Sequence, residues 1–280
     1  MSKKRRRVQE KILELLVWLC SFFTLGILVW ILLYILMQGI PHISWEFLTT
    51  SYRGESKGIF PMVLATIYVI LLSLAVAAPI GICAAVYLTE YAQTGRLVQI
   101  IRFATESLAG IPSIIYGLFG FVFFVSALKL KFSLLAGSFT LSIMVLPSII
   151  RTTEEALRAV PSTYREGSLA LGATKLWTII RVILPCAIPG VLTGIILSIG
   201  RIVGETAVLI FTAGTAIQGL DVALNDSSRT LSVHLYMLAK EGLSLQETFA
   251  TAAILIIIVA VINFLAGRLA ANLQKGTTSL

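Results

Sequence analysis

Six stretches of the chain carry almost no charge: 15–45, 58–89, 107–128, 132–150, 182–220 and 248–267. Only Arg201 and Glu205 interrupt the fifth. A helix needs about 20 apolar residues to cross the hydrocarbon core of a bilayer, with a lower limit of about 17, and every stretch meets it. The pattern predicts an all-α membrane protein with six transmembrane helices, at about 15–40, 62–87, 107–127, 132–150, 186–212 and 249–268. The first is rich in Leu, Trp and Phe with few small residues, which suits a peripheral, lipid-facing helix. In the third, "AGIPSIIYGLFG" brings Pro112, Ser113, Gly117 and Gly120 together and predicts a bent, closely packed inner helix, because neighbouring helices can re-satisfy the freed backbone groups. The segment 213–247 reads as polar and loosely ordered, with Asp221, Asp226, Arg229, Lys240, Glu241 and Glu247 as solvated charge.

Composition fits this reading. The chain is 57% hydrophobic and 13% charged, where a soluble domain carries about 25% charged residues. The net charge of +8 does not point to nucleic acid, because the cations are sorted by segment. With the N-terminus inside, the inner segments 1–14, 90–106, 151–181 and 268–280 hold 15 Lys and Arg, and the outer segments hold six. That bias places both termini in the cytoplasm. Lys129 and Lys131 oppose it from a very short loop. The apolar run after "MSKKRRRVQEKILELLVW" is too long for a signal peptide and lacks a small-residue cleavage site, so it is expected to stay as the first helix. Cys20, Cys83 and Cys186 all fall inside apolar runs, and no disulfide framework is implied.

The longest inner segment is 151–181, "RTTEEALRAVPSTYREGSLALGATKLWTIIR". Thr163 and Glu166 have the spacing of a capping box, and Gly172 suits the left-handed residue after a helix end. Together they predict a helix of about two turns from Tyr164 to Leu171, which would be marginal alone in water. It either lies back on its own membrane domain or docks a soluble partner. Its spacing resembles the loop of binding-protein-dependent ABC importer permeases: Glu-Ala-Ala, three residues, Gly, nine residues, Ile-x-Leu-Pro. Here the string is Glu166-Gly167-Ser168, Gly172 and Val182-Ile183-Leu184-Pro185. The resemblance implies that Thr163, Glu166, Gly167, Ser168, Ala170 and Gly172 belong to a helix that enters a groove on an ATPase subunit. The chain has no Gly-Lys dipeptide, hence no Walker phosphate loop of its own.

On a helical wheel, Gly190, Gly194, Ser198, Arg201, Gly204 and Glu205 share one mostly small or polar face with Thr193, Leu197, Val208 and Thr212. Gly190/Gly194 and Gly200/Gly204 are pairs that permit close helix approach. Charges at membrane depth are costly and commonly functional. One reading of Arg201 and Glu205 is an internal i,i+4 ion pair, though Arg before Glu is the weaker order and burial opposes the attraction. The other is an arginine fork offered to an oxyanion, with Glu205 as its competitor.

The stretch Arg201-Ile-Val-Gly204-Glu205-Thr206-Ala207-Val208-Leu209-Ile210-Phe211-Thr212-Ala213 is similar to that of the A-type permeases of bacterial phosphate-specific ABC importers, as are "GIPSIIYG" and the segment from Gly58 to Ala92. That family has Pro where this chain has Val208, a change expected to straighten the outer end of the fifth helix. The resemblance implies a type I importer permease fold over 58–270, with 15–40 added at its edge and 271–280 as a cytoplasmic tail. It further implies that Arg201 and Glu205 line a phosphate path, with Ser198, Thr206, Ser113 and Arg151 along it and Tyr116 nearby. The implied setting is the bacterial plasma membrane. The implied partners are a C-type permease, two ATPase subunits that use ATP and Mg, and an external phosphate-binding protein. The chain itself is expected to bind no cofactor or metal, to touch lipid but no nucleic acid, and to catalyse no bond-making step. The rival functions are a permease for sulfate or molybdate, and an ion-coupled carrier or channel.

Overall fold

The structure is a computed structural model and describes residues 3–53, 56–92, 95–242 and 244–277. Five helical segments are long and apolar enough to span a bilayer: Glu10–His42, Phe60–Tyr91, Leu134–Ala159, Lys175–Gly204 and Leu245–Arg268. A bent pair, Arg96–Ala109 with Ser113–Ala127, meets the same test only when its two halves are taken together, and they meet at 101°. In chain order the helices are α1 (Lys3–Gly39), α2 (Trp45–Thr49), α3 (Phe60–Val86), α4 (Arg96–Ala109), α5 (Ser113–Gly120), α6 (Leu134–Ala159) and α7 (Ser162–Ala170). They continue as α8 (Lys175–Thr178), α9 (Leu184–Gly204), α10 (Ala207–Thr212), α11 (Leu231–Glu241) and α12 (Leu245–Thr277). A two-rung hairpin, β1 (Tyr52–Arg53) with β2 (Ser56–Lys57), sits between α2 and α3.

Most helices run past the ends of the apolar runs. α1 is helical from Lys3, α6 continues to Ala159, and α12 runs from Leu245 to Thr277. Charged side chains beyond an apolar run still favour helix, so hydropathy locates a span better than it locates a helix end. The third predicted helix needs a larger correction. Its first residues belong to α4, which turns at Gly110–Pro112 before α5 begins. α4 escapes a hydropathy scan because Arg96, Arg102 and Glu106 interrupt it. It is amphipathic: Leu97, Ile100 and Phe103 are exposed, while Arg102 and Glu106 line a cavity against α6.

α6 is the central post, with two thirds of its apolar core segment buried, and α1 is peripheral, with none of its apolar core segment buried. α3 and α6 form the main packing pair. Ala65, Val69 and Ala77 meet Leu141, Met144 and Ile149. Hydroxyls tie the two backbones: Ser73 Oγ donates to the Ser138 carbonyl at 3.1 Å, and Ser142 Oγ to the Ser73 carbonyl at 3.0 Å. α1 reaches the bundle through α12, where Gly39 lies against Phe249 and Ala253 with no room for a Cβ.

Three π turns extend helices by i→i+5 geometry: Tyr87–Tyr91 after α3, Phe121–Ala127 after α5, and Ile179–Ile183 between α8 and α9. Their closing bonds include Ala92 N–H to the Tyr87 carbonyl at 2.8 Å and Leu128 N–H to the Phe123 carbonyl at 2.9 Å.

The segment after α10 is ordered, contrary to the loose region expected over 213–247. Arg229 Nε donates to the Thr215 carbonyl at 2.9 Å, and Gln218 Nε2 to the Ser227 carbonyl at 3.0 Å. Leu135 N–H donates to the Leu224 carbonyl at 3.2 Å, fixing the segment to the start of α6. Nor are all its charges solvated. Glu247 is buried, pairs with Lys57 and accepts from Tyr52 Oη at 3.2 Å. Arg229 Nη1 lies 3.4 Å from Nδ1 of fully buried His234. An ion-pairing carboxylate and an arginine with carbonyl acceptors can leave solvent, which residue type alone does not reveal.

Candidate functional site

The fifth predicted helix is one rod from Lys175 only as far as Gly204, and there it breaks. Glu205 is extended, with φ −75° and ψ 124°, and α10 starts again at Ala207. The break forms although Val208 stands where the resembled family has proline, so the expectation of a straight outer end is overturned. Neighbouring elements hold it. Ser232 Oγ in α11 donates to the Glu205 carbonyl at 2.8 Å. On the other side, Gly117 of α5 lets the α10 backbone at Ala207 and Val208 approach closely.

This break changes the geometry of the intramembrane charges. Glu205 lies beyond the end of α9 and Arg201 lies in its last turn. An i,i+4 contact needs continuous helix between the partners. Among the described residues, Arg201 and Glu205 form no ion pair. The arginine instead sits at the negative end of the α9 dipole, a favourable place for a cation. Its side chain is exposed. In α5, Tyr116 Oη donates to the Leu108 carbonyl at 2.7 Å, at the end of α4. Half-buried Ser113 opens α5 one turn before Tyr116.

The small and polar face of α9 divides in two. Gly190 and Gly194 pack on Ala156 and Thr152 of α6, where a Cβ would not fit. Ser198 goes with them: it is 1% exposed and donates to the Gly194 carbonyl at 2.9 Å, which removes it from any open path. Thr193, Leu197, Arg201 and Gly204 form an exposed stripe, and a Cβ at Gly200 or Gly204 would meet nothing within 4 Å. Thr206 caps no backbone amide of α10, and its hydroxyl is 3.5 Å from the Gly204 carbonyl.

Arg151 is not grouped with Arg201. It lines a cavity of about 260 Å³ between α4 and the end of α6, together with Arg102, Glu106, Glu154, Glu155 and Arg158. Arg151 Nε is 3.1 Å from Glu155 Oε1, and Glu154 lies 3.4 Å from Arg102 and 3.7 Å from Arg158.

At the same end, α7 occupies the predicted loop helix, but its start is not a capping box. Pro161 takes the N-cap position and α7 begins at Ser162, leaving Thr163 inside it. The fixed φ of proline, here −55°, suits a helix start, and the Pro161 carbonyl accepts from Tyr164 N–H at 3.2 Å. The expected end is present. Gly172 has φ +83°, its N–H donates to the Leu169 carbonyl at 3.0 Å, and Ala173 N–H donates to the Ser168 carbonyl at 3.2 Å. That is the Schellman pattern. Glu166, Gly167 and Ala170 are exposed, as are Tyr164, Leu169 and Leu171, the last at 90%. The opposite face ties back to the membrane helices. Ser168 Oγ is 2.9 Å from Thr178 Oγ1, and Arg165 forms a salt bridge with Glu90. One face of this helix thus lies back on its own membrane domain, and the other is left exposed. Sequence reasoning missed Arg165, Glu90 and Ser232. The available signal was Glu90, a single carboxylate at the point where an apolar run ends.

The sequence profile of the binding-protein-dependent transport system inner membrane component family matches residues 77–279. A probable ABC transporter permease protein, YqgI of Bacillus subtilis (strain 168), is 32% identical over 98% of this chain and 99% of its own. The phosphate transport system permease protein PstA 1 of Mycobacterium tuberculosis (strain H37Rv) is 35% identical over 94% and 87%. PstA of Pasteurella multocida (strain Pm70) is 38% identical over 74% and 75%. Among solved structures, a bacterial ABC transporter involved in alginate import aligns with TM-score 0.65 at 17% identity, over 95% of this chain and 99% of that one. The MetNI methionine ABC transporter aligns with TM-score 0.60 at 21% identity, over 78% and 94%. At such identities these two establish the fold alone.

Proposed function

The chain belongs to the family of binding-protein-dependent transport system inner membrane components, and from that premise we propose that it is the permease subunit of an ATP-driven importer of inorganic phosphate. It is a multi-pass inner-membrane protein. The phosphate assignment rests on its kinship to phosphate transport system permeases across most of its length, at 35% identity in the mycobacterial case. The chemistry of the break agrees with it. Arg201 offers a planar, permanently charged donor fork on an open stripe, with no carboxylate in ion-pair contact among the described residues. Glu205, a residue beyond the helix end, can accept a hydrogen bond from a protonated oxyanion and repels one without a proton.

In this reading α7 and both termini face the cytoplasm, where the Lys and Arg are concentrated. A second, C-type permease covers the exposed stripe of α9, and the anion passes between the two. Ser113 and Thr206 serve as further hydroxyl ligands on that route, and Arg151 as a cation towards its inner end. A binding protein delivers phosphate from outside. Two ATPase subunits receive the exposed face of α7 and hydrolyse ATP with Mg, so this chain contributes no catalytic residue.

Phosphate uptake into vesicles holding the full set of subunits tests the proposal. Uptake that requires ATP and withstands excess sulfate supports it. Sulfate or molybdate competing equally would assign another oxyanion, and uptake by this chain alone, driven by an ion gradient, would overturn the importer reading.

A further inference from the structure

Arg165 links α7 to its surroundings by several hydrogen bonds. Its Nε and Nη2 donate to Glu90 Oε1 at 3.0 and 2.6 Å. Nη1 donates to the Val160 carbonyl and Nη2 to the Leu157 carbonyl, each at 2.9 Å. Glu90 is 8% exposed and Arg165 24%. One guanidinium therefore joins three elements: α7, the π turn that ends the α3 span, and the last turn of α6. The planar fork matters here, because a lysine could not reach a carboxylate and two carbonyls at once. A largely buried pair adds little net stability relative to apolar packing, but it fixes geometry. On the outward face, Glu166 next along the chain is exposed and forms no ion pair among the described residues.

We infer that Arg165 is a positioning residue that, through Glu90 and the Leu157 and Val160 carbonyls, transmits displacement of α7 into α3 and α6. The inference rests on the reading that the outer face of α7 docks an ATPase. Movement of α7 has to reach the span helices to open a path, and the tight contacts it makes with them are few. Arg165 leads to α3 and α6, the main packing pair. Ser168, one turn later on the same face, leads through Thr178 to the rod that carries Arg201.

The test uses the complete transporter in lipid vesicles with Arg165→Lys, Arg165→Gln and Glu90→Gln. Three quantities are read: ATPase subunits retained, ATP hydrolysis with and without phosphate-loaded binding protein, and phosphate uptake. The expected result is full retention of the ATPase and near-normal basal hydrolysis. Stimulation by the binding protein and uptake should fall about ten-fold or more, the scale of a typical coupling energy, with Arg165→Lys between wild type and Arg165→Gln. Stimulation and uptake at wild-type levels in both neutral variants would overturn the assignment. So would loss of the ATPase from them, which would make the pair a folding contact. Leu171→Asp separates the underlying reading. If that variant keeps its ATPase, the docking face itself is wrong and the inference falls with it; if it loses the ATPase while Arg165→Gln stays coupled, the strut alone is wrong.

Discussion

The Ser232 hydroxyl donates to the Glu205 carbonyl at 2.8 Å, across 27 residues of chain. It satisfies an acceptor that the end of α9 leaves free, so a helix outside the spans holds the break beside the intramembrane charges. Ser232→Ala removes the donor from a buried position, at a cost of about 1–3 kcal/mol. The variant should unfold at a lower temperature than wild type in detergent and transport phosphate more weakly. An unchanged melting point with unchanged uptake would show that other contacts keep the break open.

Arg201 should behave as a ligand rather than as part of the fold. It is exposed and has no ion-pair partner among the described residues, so Arg201→Gln should insert and assemble normally. Loss of charge-assisted hydrogen bonds to an anion, worth about 1.5–3 kcal/mol, predicts a drop in uptake of about 10- to 100-fold. Arg201→Lys should fall between, keeping the charge without the fork. Normal uptake by the glutamine variant would remove Arg201 from the path.

The two glycine pairs of α9 should respond oppositely. A Cβ at Gly194 would collide with Thr152, so Gly194→Ala should destabilise the α6–α9 contact by about 1–3 kcal/mol. Gly200→Ala has open space around it and should leave the stability of the isolated chain unchanged. If the Gly200 variant also weakens the assembled transporter, a partner lies against that stripe. Thermal unfolding of the single chain and of the complex, measured side by side, checks both statements.

The α11 region should weaken in acid. Burial pushes the pKa of His234 down to about 4, with the Arg229 charge adding to the effect. The folded protein therefore keeps the imidazole neutral, while the unfolded chain takes up a proton near pH 6.5. Between those values the unfolded state binds more protons, so stability is complete above about pH 6.5 and declines as the pH falls, by at most about 1.4 kcal/mol per unit. Melting points at pH 7.5 and pH 5 should differ more for wild type than for His234→Gln. Equal differences would exclude His234 as the source.

The spans were legible because lipid demands long apolar runs, and Arg201 and Glu205 stood out by violating one. What lay beyond was set by tertiary contacts. The wheel that put Arg201 and Glu205 side by side assumed an unbroken helix, and only α5 and α11 reveal the break. Ser198 looked like a ligand because its face was polar, but half of that face packs on α6. α4 was hidden by Arg102 and Glu106, charges that meet a cavity instead of ending a helix. In α7, Gly172 could be read because a positive φ favours one residue type. Thr163 could not, because the helix begins one residue earlier, at Ser162, and leaves the threonine inside it.

The π turns give these attachments a mechanical property. Each turn contains one residue more than an α turn, and returning that residue to α geometry would rotate everything beyond it by about 100° and shift it by about 1.5 Å. Glu90 sits within one π turn, and Thr178 immediately precedes another. Both helices fastened to α7 thus carry a turn of non-α register at the fastening itself, the one place where a single-residue change of register would be felt along a whole span.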